Sequence, residues 1–188
     1  MADRLYLSFT LRGFNSSNML RHYERMLRIF PFSRLSAGAS VLSMIAVSES
    51  EPPLFEQSFD NPPDPEAVIA AARQFSTADC SVQLGTRWDL WQFDKEWALT
   101  PTPVTLICTG PEFETDERHD LQIDFGIDSH FLPQRDLPNH LFMARSNIRS
   151  LLHLVAELEK ALTVETKRLW SESGGNFAER LQRYLDED

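Results

Sequence analysis

Long apolar runs are missing from this chain: nowhere do about 18 consecutive apolar residues occur, so no membrane-spanning helix is expected. The start of the sequence, Leu5-Tyr6-Leu7-Ser8-Phe9-Thr10-Leu11, is polar at alternate positions and lacks the continuous apolar core of an export signal. Cysteine is nearly absent. Cys80 and Cys108 are the only two, each inside an apolar stretch. Without export they are expected to stay reduced and to behave as small buried hydrophobes in a cytoplasmic protein. Positive charge is in deficit, with 18 basic against 28 acidic side chains and a net charge of −10. That balance opposes phosphate-backbone binding, so neither nucleic acid nor a membrane is expected as a partner. Internal repeats and low-complexity segments are absent as well.

What is present suits one globular domain spanning residues 1–188. Of these residues 42% are hydrophobic and 11% aromatic against 24% charged. A chain of this length buries roughly 70% of its unfolded surface, so neither a metal nor a disulfide is needed to hold a core. Leu5, Leu7, Phe9 and Leu11 alternate with polar residues, the period of a strand with one buried face. After Gly13 and the capping candidates at 15–18, Met19, Tyr23, Met26, Leu27 and Phe30 recur at helical spacing until Pro31. A strand at 41–47 and a proline-flanked edge strand at 54–59 follow. Asp64, Pro65 and Glu66 then open a helix over 65–75 whose stripe is Val68, Ala71, Ala72 and Phe75.

Cys80, Val82, Leu84, Trp88 and Leu90 alternate, but Trp91 and Phe93 fall on the other phase, which a bulge or burial on both faces explains. A strand at 104–108 follows the punctuation of Pro101 and Pro103, and Leu121, Ile123 and Phe125 mark another. The clearest helical stripe is Ile148, Leu151, Leu152, Val155, Leu158 and Leu162, within 145–162. Residues 163–167 are ambiguous between helix and strand. Asn176 with Glu179 caps a last helix carrying Phe177, Leu181 and Leu185. The expected fold is therefore α+β: a two-layer domain, mainly antiparallel sheet with helices packed on one face, in a ferredoxin-like βαββαβ order extended by further strands and C-terminal helices.

Three constellations could carry function. The acidic segment 112–130 offers Asp120, Asp124 and Asp128 with His119 and His130, oxygen and imidazole donors that could hold a divalent ion and activate water for hydrolysis. Its spacing matches no EF-hand loop and no two-His helical motif, and alternating acids also arise from solvent exposure alone. The aromatic segment holds Trp88, Trp91, Phe93 and Trp97 with Arg87 interleaved. Such a set is either core packing, a protein-contact surface, or a stacking platform for a small ligand. The Gly-rich turn Trp170-Ser171-Glu172-Ser173-Gly174-Gly175-Asn176-Phe177 resembles an anion cradle, but lacks the Lys of a phosphate loop and carries Glu172. Arg145, Arg149, His153 and Lys160 form a basic helix face interrupted by Glu157.

No nucleophile elbow or other catalytic motif occurs, and no cofactor is implied. The first 36 residues carry six basic and two acidic side chains, including Arg21, Arg25 and Arg28, so a +4 segment faces a remainder of −14 and homo-oligomerisation is conceivable. The sequence favours a non-catalytic protein-binding domain, of the interaction or inhibitor type, with a cationic partner and with Arg87, Trp88, Trp91 and Trp97 as contact candidates. The alternative is a metal-dependent hydrolase built on the 112–130 segment.

Overall fold

The computed structural model of the chain describes residues 3–134, 136–172 and 177–186. β1 (Arg4–Leu11) buries Leu5, Leu7, Phe9 and Leu11 and leaves the intervening side chains partly exposed, as the alternation requires. The turn into α1 (Met19–Ile29) is tied by two asparagines: Asn15 Oδ1 accepts from the Ser17 N–H at 2.9 Å, and Asn18 Oδ1 from the Asn15 N–H at 2.9 Å. Pro31 cannot continue the helix, and the residue before it, Phe30, is already extended. β2 (Ser40–Ala46) stops before Val47, whose φ of 71° is a left-handed value that a β-branched residue seldom takes. β3 (Phe55–Phe59) lies at the sheet edge, as its prolines foretell. The Asp64 carboxylate caps α2 (Pro65–Arg73) by accepting from the Glu66 N–H at 3.2 Å. Phe75 falls beyond this helix, and its ring stacks on Phe55 of β3 at 4.5 Å instead of joining the buried stripe.

β4 (Cys80–Phe93) and β5 (Trp97–Thr109) form a long hairpin in unbroken register from Ser81 opposite Thr109 to Phe93 opposite Trp97. Two expectations change here. The phase slip at Trp91 is no bulge: the strand continues regularly, and its last residues run past the end of β2, whose pairing stops at Val41 opposite Gly85. Pro101 and Pro103 also lie inside β5 and not before it. β6 pairs β5 only over residues 105–108, so the missing proline N–H groups leave no gap in that ladder.

β6 (Leu121–Ile127) leads into a 3₁₀ turn, Asp128–Phe131. α3 (His140–Ala161) begins earlier than the apolar stripe alone indicates. Of residues 163–167, all but Thr163 resolve as part of a strand, β7 (Val164–Ser171), and α4 (Phe177–Asp186) follows with Phe177 and Leu181 buried. Gly174, Gly175 and Asn176, the core of the supposed anion cradle, lie outside the described residues.

The seven strands form one antiparallel sheet in the order β3-β2-β4-β5-β6-β1-β7. The elements open in the expected β-α-β-β-α-β succession along the chain, but the sheet is larger than a ferredoxin-like unit and its strands are arranged differently: β1 sits between β6 and β7, far from the strands that follow it in sequence. One split β-α-β survives locally, since β3 and β4 flank β2 and are joined through α2. The helices touch in the series α2, α1, α3, α4. Beneath them one continuous core joins Leu7, Phe9, Leu42, Val82, Leu106 and Ile123 of the sheet to Tyr23 and Met26 of α1 and to Ile148 and Leu151 of α3. The Tyr23 hydroxyl, fully buried, donates to the Leu106 carbonyl at 2.8 Å and so avoids the cost of an unpaired polar group. Among the described residues no helix is long and apolar enough to cross a membrane.

Candidate functional site: an aromatic cleft at the hairpin tip

Because β4 and β5 extend beyond β2 and β6, their tip is left without neighbouring strands. α3 takes over that role. Asn147, 2% exposed, accepts from the Trp91 N–H at 2.9 Å and donates to the Trp91 carbonyl at 2.9 Å, as a paired strand residue would. Its amide also donates to the His130 carbonyl at 2.8 Å, which ties the 3₁₀ turn to the same point. One buried amide thus fixes three elements with both of its polar atoms in use.

Around this anchor lies a cleft of about 150 Å³. Trp91, Phe93 and Trp97 of the hairpin, Ile127 and Leu132 on either side of the 3₁₀ turn, and His130 within it form most of its wall. The Phe93 and Trp97 rings meet edge to face at 5.4 Å, and the Trp97 indole N–H donates to the Pro138 carbonyl at 2.5 Å, which locks both rings. The side chains of His130 and Ser129 make no hydrogen bond among the described residues. Burial holds the His130 imidazole below its ordinary pKa, so it is neutral at pH 7. Two candidates separate in the sequence, the indoles and His130, therefore meet in space.

The other two members of the aromatic set go elsewhere. Trp88 is 5% exposed and sits in an aromatic core with Phe30, Phe125 and Phe131, ring centroids 6.0, 5.8 and 6.3 Å away. It does not line the cleft. Arg87 is half-buried beside Gly38, and its carbonyl accepts from the Ser33 N–H at 2.8 Å. Its neighbour Asp89 receives the Ser33 hydroxyl and, at 2.8 Å, the Arg34 N–H, so this part of β4 holds a loop in place.

The acidic set does not converge. Among the described residues no three His, Cys, Asp or Glu side chains form a group that could hold a metal ion. Asp120 is buried and accepts from the Leu11 N–H at 2.7 Å, and burial raises its pKa. Asp124, within β6, is paired with Arg4 and accepts from the Gly126 N–H at 2.9 Å. Asp128 is buried in the 3₁₀ turn, its pKa raised by burial and then by Asp3. His119 bonds the Thr109 hydroxyl at 3.1 Å and the Glu117 carbonyl at 2.9 Å. It lines, with Asp120, a separate cleft of about 200 Å³ that does not include His130. Asp120 bonds the end of β1, Asp124 pairs with Arg4, and Asp128 lies in the 3₁₀ turn.

Of the basic helix face, Arg145 donates to the Tyr184 carbonyl at 2.8 Å and Lys160 pairs with Glu157 at 2.7 Å. Arg28 pairs with the chain's own Glu24 and Glu66, at 2.7 and 3.0 Å. Asn147 is the residue that sequence reasoning missed. The available signal was a polar side chain three residues after Ala144 and four before Leu151, on the buried stripe of α3. No family model matches the chain, and no curated protein or solved structure matches it.

Proposed function

We propose that this chain is a non-catalytic protein-binding domain that docks a basic partner through the hairpin-tip cleft. The observation behind this reading is the cleft itself, three aromatic and two aliphatic side chains presented together and backed by a fully bonded buried amide. Indoles in partly exposed, rigid settings are the usual anchors of protein interfaces. Leu99, 44% exposed and directly across from Trp91 in the hairpin, extends the apolar surface beyond the cleft. The net charge of −10 favours a cationic partner by steering its approach. The unpaired thiols of Cys80 and Cys108, both buried, fit a reducing compartment such as the cytoplasm.

Photo-crosslinking tests this. A benzophenone amino acid placed at Leu99 is expected to trap one basic protein in stoichiometric yield, and the same probe at Val41, on β2 away from the tip, is not. The crosslink should vanish in Trp97→Ala and fall steeply at about 0.5 M salt, where charge steering is screened. Capture that is indifferent to Trp97→Ala, or no capture at all, rejects the docking reading.

A further inference from the structure

We infer that the cleft is a socket for one guanidinium group, that of an arginine side chain projected by the partner; this rests on the docking reading above and names the chemistry that the cleft selects. Three features of the wall point to a cation. Trp91, Phe93 and Trp97 line it, and the negative face of an aromatic ring attracts positive charge, indole best of all. Among the described residues no Arg or Lys lines the cleft. The segments on either side, 92–97 and 127–139, carry Asp94, Glu96, Asp128 and Asp136 against Lys95 and Arg135 in sequence, and the chain as a whole is at −10. Charge complementarity therefore favours a cationic occupant both locally and at long range.

The shape and the polar groups narrow the cation to a guanidinium. A space of about 150 Å³ accepts a small planar group and not a whole folded element. A guanidinium is flat, stacks on aromatic rings, and sheds water more readily than an ammonium does. It also carries five N–H donors, and the unbonded acceptors of the wall match them: the neutral His130 imidazole and the Ser129 hydroxyl, with the Gln134 side-chain carbonyl at the rim. A neutral imidazole leaves a ring nitrogen lone pair for such a donor. Part of the wall is preorganised, since Asn147 holds the Trp91 backbone and the Pro138 carbonyl holds the Trp97 indole.

The probe is methylguanidinium, with N-methylurea as its uncharged counterpart of nearly the same shape, titrated into the full chain and read from the indole N–H resonances in two-dimensional NMR. Saturable shifts of the Trp91 and Trp97 signals by methylguanidinium, with Trp88 and Trp170 unmoved and N-methylurea inert, are expected. Trp97→Leu should weaken the binding about two- to fivefold, the loss of one cation–π contact. His130→Phe, which keeps a ring but removes the acceptor, should weaken it while leaving the other resonances in place. Equal shifts from N-methylurea, or no saturation by about 100 mM methylguanidinium, overturn the inference. Crosslinking at Leu99 that succeeds while methylguanidinium fails would retain the docking site and reject the guanidinium socket. Methylguanidinium binding without any crosslinked partner would retain the socket and reject protein docking.

Discussion

Replacing Asn147 by Ala tests the anchor on which the cleft depends. The substitution removes three hydrogen bonds, of 2.9, 2.9 and 2.8 Å, and leaves the Trp91 N–H and the Trp91 and His130 carbonyls without them. At about 1 kcal/mol net per bond, the cost is about 3 kcal/mol. For a chain of this size each kcal/mol lowers Tm by about 2–4 °C, so a fall of roughly 6–12 °C is expected. Urea unfolding followed by far-ultraviolet circular dichroism gives the free energy, and a thermal melt gives the second reading. The indole N–H signals of Trp91 and Trp97 should broaden or move in the folded variant, while that of Trp88, held in its own aromatic core, stays. Asn147→Asp sharpens the test. It retains an acceptor for the Trp91 N–H but places an oxygen opposite two carbonyls, so it should be at least as damaging at pH 7 and recover partly in acid as the carboxyl gains a proton it can donate. A loss below about 1 kcal/mol in Asn147→Ala would mean that water replaces the amide without penalty, and the claim of a purpose-held cleft would fall.

Three further outcomes follow from the geometry. A Cβ on Gly110 would clash with the Ala78 carbonyl oxygen and lie 2.9 Å from that of Cys80, both backbone, whereas a Cβ on Gly38 would crowd the flexible Arg87 guanidinium tip, at 2.6 Å, and no backbone atom. Gly110→Ala should therefore cost about 3 kcal/mol and Gly38→Ala within about 0.5 kcal/mol, and equal melting temperatures for the two would refute this. Trp88→Ala should cost about 3–5 kcal/mol, and in the intact chain iodide should leave a blue, unquenched emission component that Trp88→Phe lacks; full quenching of the parent would place Trp88 at the surface. His22 is buried on α1 with an unbonded Nδ1, its pKa lowered by burial and then by Arg25 and Arg21. The unfolded chain then binds more protons than the folded one just below the ordinary histidine pKa of about 6.5, so stability falls as pH drops through that value toward the folded pKa. His119 and His130 act with the same sign. His22→Leu should flatten the urea-derived stability profile between about pH 7 and 5, and an unaltered profile would refute the assignment.

Much of the secondary structure follows from local chemistry. The alternation in β1, the Asp64-Pro65-Glu66 start of α2 and the stripe of α3 are short-range patterns, and each element forms where its pattern lies. Where a pattern depends on partners, the sequence is silent. Pro101 and Pro103 look like breakers, yet they fit inside β5 because β6 ends its pairing before reaching them. Residues 163–167 are ambiguous alone, and all but Thr163 become a strand by pairing with β1, residues 166 and 164 lying opposite Thr10 and Leu11.

The site divides in the same way. Composition by itself determined an acidic chain with aromatic residues gathered at 88–97, and period-two alternation determined that Trp88 and Trp91 point to opposite sides of one strand. Only the tertiary structure decided which side was core, that His130 would join Trp91 and Trp97, and that Asp120, Asp124 and Asp128 would not form one group. The reason is physical: a strand's register and neighbours are set by contacts between residues many positions apart, and such contacts leave no local pattern to read.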